Sequence, residues 1–126
     1  MTFWLVTAAV SGFLSVAIGA FAAHGLEGRL PPEALDWLAT GLRYQMLHVA
    51  GLLTVALLAA RAPARSLTLA GSGFLAGTVV FSGLLYVMAL TGTRWLGMIV
   101  PIGGVSFLIG WAALACYALT RQDRGI

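Results

Sequence analysis

The sequence predicts an all-α integral membrane protein, a four-transmembrane-helix bundle with an amphipathic interfacial segment between helices 1 and 2. Three observations carry that prediction. Of 126 residues, 60% are hydrophobic and 9% charged, with a mean hydropathy of +0.97. Soluble domains carry about 25% charged residues; four acidic and seven basic side chains are too few to coat a globule of this size, and lipid is the solvent that suits such a surface. The hydrophobic residues also gather into four long runs with short polar joins. Finally, the runs are continuous rather than alternating, which favours helices over a barrel.

The runs are taken in chain order, as one domain over 1–126. The first covers about 3–23 and holds no charge. Its "GAFAAHG" contains a small-residue site of the kind that ends a secretory signal. Yet no basic residue precedes the run, which exceeds the usual 7–15 residues of a signal core, so a membrane span is the better reading. The second covers about 41–60, with Arg43 and His48 near its start. The third covers about 67–90 and the fourth about 96–119, both uncharged. About 20 residues of helix cross a ~30 Å hydrocarbon core, so all four qualify.

The longest connection, 24–40, carries Glu27, Arg29, Glu33 and Asp36. Pro31-Pro32 suits a helix start, and acids in the first turns suit the positive end of the helix dipole. The helix is therefore expected to begin here and run on into the second span, with Gly41 as a bend point. At 100° per residue, Glu33, Asp36, Thr40, Arg43, Tyr44 and His48 share an arc of about 140°.

All seven basic residues are arginines, scattered singly, and no lysine is present. The net charge of +3 and pI near 9.8 therefore point to membrane-flank anchors and away from nucleic acid. Arg61, Arg65, Arg121 and Arg124 lie on one side; Arg29 and Arg94 lie on the other, with Arg43 at the membrane edge. The positive-inside rule then sets both termini in the cytoplasm, in a plasma or inner membrane. Trp4, Trp37, Tyr44, Trp95 and Tyr117 read as an interfacial aromatic belt, and Trp111 as packing. Cys116, alone, excludes an internal disulfide and a cysteine zinc site.

Small residues recur at helical spacing: Ser11, Ser15, Gly19 and Ala23 in the first span, Gly73 and Gly77 in the third, Gly103, Gly104 and Gly110 in the fourth. They signal close helix association, within one chain or in a homo-oligomer. Two constellations invite chemistry. His24, Asp36, Arg43, Tyr44, Gln45 and His48 form a candidate binding or polar cluster at one membrane face, since ionisable residues in spans are functional candidates. Against a binding pocket or a proton-handling site stands a structural role: Arg43 paired with Asp36 or Glu33, and His48 tied to a neighbouring carbonyl. Ser82 and Tyr86, with Pro101, Gly103 and Gly104, form a candidate helix-break or packing site, because a proline inside a span frees a carbonyl.

Metal binding by His24 and His48, with Glu27 or Asp36, matches no standard zinc spacing. No metal, cofactor or catalytic residue is expected. The first span lacks an acid and the chain lacks asparagine, which disfavours the carrier and channel mechanisms that depend on those groups.

The segments "SGFLSVAIGAFAAHGL" (11–26), "WLATGLRYQMLH" (37–48), "GTVVFSGLLYVMAL" (77–90) and "PIGGVSFLIGWAAL" (101–114) together resemble the DUF423 family of small membrane proteins. That family takes in YgdD/YwdK-like bacterial proteins and, more distantly, the transmembrane protein 256 group. Ala23 stands where the family often has glycine. The resemblance implies a four-helix inner-membrane protein and no defined activity. The expected function is non-catalytic: helix packing, lipid contact or contact with a membrane-protein partner. An oligomeric transporter or channel is the alternative, and a lipid- or quinone-binding or enzymatic site near His24 and His48 ranks third.

Overall fold

The computed structural model describes residues 2–26 and 28–122. Glu27, Asp123 and Arg124, which contribute to the net charge, lie outside the described residues. Among those described, the chain is built from helices that make four spans, 2–26, 32–61, 65–91 and 94–121, each long and apolar enough to cross a membrane. Helix α1 is Thr2–Phe21 and closes in a π-helical turn, Ala22–Leu26. Helix α2 is Pro32–Arg61. The third span is α3 (Arg65–Gly77), a π-helical turn (Thr78–Ser82) and α4 (Gly83–Thr91). A 3₁₀ turn, Arg94–Met98, leads into α5 (Val100–Gln122).

Helix α2 starts where the prolines predict, with Pro31 extended and Pro32 in the first turn, where the missing N–H costs nothing. Its 30 residues make about 45 Å at 1.5 Å each, more than the hydrocarbon core requires. The amphipathic segment is thus the outer end of this one helix. The helix runs unbroken through Gly41, which is a contact point rather than the expected bend. A Cβ there would lie 2.9 Å from the Tyr86 ring, and Ser82 Oγ donates to the Gly41 carbonyl at 2.6 Å.

Span four corrects the helix-break expectation. Pro101 is exposed and is the second residue of α5. Its missing donor falls in the first turn, so it frees no mid-span carbonyl. The apolar residues around Leu96 belong to the preceding 3₁₀ turn, which hydropathy cannot tell from α-helix. The interruption of regular helix lies in span three instead. There Gly83 N–H donates back five residues to the Thr78 carbonyl, and Ser82 is fully buried.

The spans pack in sequence: α1 against α2, α2 against α3 and α4, and α3 closely along α5. At the end nearest residue 2, Ala8, Leu52, Phe74 and Tyr117 join one core, so the first and last described residues share a membrane face. At the opposite end, Ala34, Leu38 and Ala89 pack together, and Leu85, Met88 and Val100 pack beside them. Small residues set the spacing between the third span and α5. A Cβ on Gly73 would lie 2.8 Å from the Ser106 carbonyl oxygen, and one on Gly103 would strike the Phe81 backbone. Outside is an apolar belt, with Phe13 and Val16 both 74% exposed, as a lipid-facing surface requires.

Candidate functional site

The six residues of the candidate cluster separate in the fold. His24 and Asp36 are exposed at the outer ends of the first two spans. Arg43 is exposed, on the outward stripe of α2, while Gln45 and His48 are buried. Tyr44 lies between these faces, 41% exposed. The shared arc of about 140° therefore straddles the boundary between lipid and bundle. His24 stands near the first turns of α2, since neighbouring Ala22 and Leu26 pack against the cluster of Ala34, Leu38 and Ala89. His48 lies 16 residues into α2, about 24 Å along its axis, so the two histidines form no common site.

The interior holds two hydrogen-bonded knots. In the first, Gln45 Nε2 donates to the Ser11 carbonyl and hydroxyl, both at 3.2 Å. Tyr86 O–H donates to Gln45 Oε1 at 2.6 Å, and Ser15 donates to the Ser11 carbonyl. One amide thus ties together α1, α2 and α4.

In the second, Trp111 Nε1–H donates to His48 Nε2 at 2.9 Å, and His48 Nδ1 lies 2.6 Å from the Tyr44 carbonyl. An indole N–H can only donate, so Nε2 is the acceptor and the ring proton sits on Nδ1, given to Tyr44. The imidazole also stacks on Phe107 at 3.6 Å, 7° from parallel, with Phe74 and Trp111 beside it. Both nitrogens and one face of His48 are therefore occupied. Among the described residues, no buried side-chain polar atom lacks a partner.

At the α4 end of the bundle, Glu33 pairs with Arg94, and the Arg94 guanidinium lies over Trp37 at 5.5 Å. Glu33 is thus taken by Arg94, where a partnership with Arg43 was one expectation. At the other face, Arg121 reaches the Ala62 carbonyl at 3.4 Å and covers Tyr117 at 5.2 Å.

Sequence reasoning missed Trp111 as a polar tie and Ser11 as an acceptor. Tyr44 packs against Phe81, ring centroids 4.7 Å apart and tilted by 51°. The signal for these ties is the recurrence of hydrogen-bonding side chains on spans that otherwise have no reason to carry them.

The clefts open outward. An apolar one of about 530 Å³ follows the α1/α2 seam, between Gly12, Val16 and Ala20 on one side and Leu42, Met46 and Val49 on the other.

A family profile described as "Protein of unknown function (DUF423)" matches residues 18–104. A UPF0382 membrane protein of Haemophilus influenzae is 48% identical over 89% of this chain and 90% of its own. UPF0382 membrane protein YwdK of Bacillus subtilis is 42% identical over 94% and 98%. UPF0382 inner membrane protein YgdD of Escherichia coli K12 is 41% identical over 98% and 95%. No solved structure matches the chain.

Proposed function

The chain belongs to the DUF423 family of membrane proteins, and from that premise we propose that it acts without catalysis, through its lipid-facing helix surfaces. The observation that carries this reading is the closure of the interior. Gln45, His48, Ser11, Ser82, Tyr86 and Trp111 are satisfied by one another or by backbone. They act as interhelical ties, and what remains open is the outer surface. Both termini face the cytoplasm in this proposal, since Arg61, Arg65 and Arg121 flank that side.

A second reading, an oligomer that moves a small ion or solute, draws on exposed Arg43, the one charged residue of α2 between Asp36 and Arg61. An oligomer interface would cover it. Reconstitution separates the two. The non-catalytic reading expects proteoliposomes to pass protons, potassium and chloride no faster than empty vesicles. Protein-dependent flux that Arg43→Gln abolishes would establish the second reading instead.

A further inference from the structure

Resting on the lipid-contact reading above, we propose that the α1/α2 seam holds one aminophospholipid of the phosphatidylethanolamine type. Its chain lies in the apolar furrow, its phosphate on Arg43 and its amine toward Asp36. Three observations converge. The cleft of about 530 Å³ shares Gly19 and Leu42 with a second of about 290 Å³ that continues outward past Ala23, Leu35 and Ala39. Together they make one furrow from mid-bundle to the membrane face. Arg43 does not itself line the furrow; its helix-surface neighbours Ala39 at i−4 and Met46 at i+3 do.

Arg43 lies seven residues, about 10 Å, inward of Asp36 on the same stripe. It is exposed, and among the described residues neither it nor Asp36 has an ion-pair partner; the pair present there is Glu33–Arg94.

A bare guanidinium at that depth is costly and its stem extends toward the interface. From the bilayer centre outward, then, this strip of α2 presents apolar Val49 and Met46 on the furrow wall, the positive charge of Arg43 and the negative charge of Asp36. An aminophospholipid presents, in the same order, an acyl chain, a phosphate and an ammonium. A headgroup with negative charge alone would satisfy Arg43 and meet Asp36 unfavourably. A second copy of the chain fits less well, because a two-fold contact sets like residues together and would bring the two Arg43 side chains to one depth.

The test releases the full-length protein from vesicles of equal phosphatidylethanolamine and phosphatidylglycerol, and counts retained lipid by native mass spectrometry. Wild-type protein is expected to retain phosphatidylethanolamine about tenfold over phosphatidylglycerol, the scale of one charge-assisted hydrogen bond. Asp36→Asn brings that ratio near one, and Arg43→Gln lowers retention of both lipids by about tenfold. Ala20→Leu, at an exposed furrow position, lowers retention while leaving both charges in place. Equal retention, preference for phosphatidylglycerol, or a dimer that forms regardless of lipid would each overturn the proposal. The wild-type ratio decides even if a variant fails to fold. In the same vesicles, equal retention of the two lipids by the wild-type protein without ion flux sinks this site alone, whereas flux sinks the non-catalytic reading.

Discussion

His48 is the residue whose role changes most between chain and fold. As a histidine in an apolar run it invites a proton-transfer or ligand reading. In the bundle its two nitrogens meet one donor and one acceptor, Trp111 and the Tyr44 carbonyl. Interhelical hydrogen bonds in membranes are each worth about 0.6 kcal/mol on average and up to about 1.7. Trp111→Phe keeps the aromatic packing and removes the donor, so it is expected to lower stability by about 1 kcal/mol, read as a reduced Tm in detergent. Gln45 offers a stricter check. Gln45→Leu strands the Tyr86 hydroxyl, and Tyr86→Phe strands Gln45 Oε1. The double variant is expected to be about 1 kcal/mol more stable than the sum of the single losses, a coupling that a double-mutant cycle in thermal melts measures.

At the scale of elements, glycines decide which helices approach. Gly103 and Gly104 are adjacent in sequence and opposite in consequence. A Cβ on Gly103 collides with the Phe81 backbone, which cannot step aside, whereas one on Gly104 rests 3.8 Å from the Phe81 ring. Gly103→Ala is therefore expected to cost about 2 kcal/mol or more, as overpacking does, and Gly104→Ala close to nothing. Equal effects of the two substitutions on Tm would show that α5 is not seated against the π-helical turn as described. Gly92 serves a turn rather than a contact. At φ +72° it closes α4 in the left-handed conformation, with its N–H bonded to the Met88 carbonyl.

Across the whole molecule, the two membrane faces are fastened differently. One carries Glu33, Arg94 and Trp37; the other carries Arg121 over Tyr117 and the Ala62 carbonyl. The Glu33–Arg94 side chains are 48% and 70% exposed, so the pair is screened and worth under about 1 kcal/mol. Glu33→Gln is expected to shift Tm by about 4 °C at most, less in high salt, and a larger loss would mean that the join between α2 and the 3₁₀ turn depends on it. The even number of spans sets both ends on one face. Fusing a fluorescent protein that folds only in the cytoplasm to the C-terminal end is expected to give fluorescence, while an alkaline phosphatase fusion there stays inactive. The reverse result would invert the proposed orientation.

Membrane placement, the number of spans and their approximate limits follow from sequence, because the cost of exposing backbone and charge to hydrocarbon is large and local. About twenty apolar residues in a row leave few alternatives to a spanning helix, and Pro31-Pro32 marks where α2 begins. Which way a polar residue faces within its span is a different kind of fact. Arg43, Gln45 and His48 lie within six positions, yet one faces lipid and two face different neighbours, and local periodicity holds no record of where those neighbours stand. The apolar run through Leu96 concealed a 3₁₀ turn for the same reason: hydropathy records the solvent and is silent on backbone geometry. The four spans were thus the chain's own doing, set by transfer from water to lipid. The two polar knots and the outward position of Arg43 were decided by tertiary packing, because a hydrogen bond between helices exists only once both helices are in place.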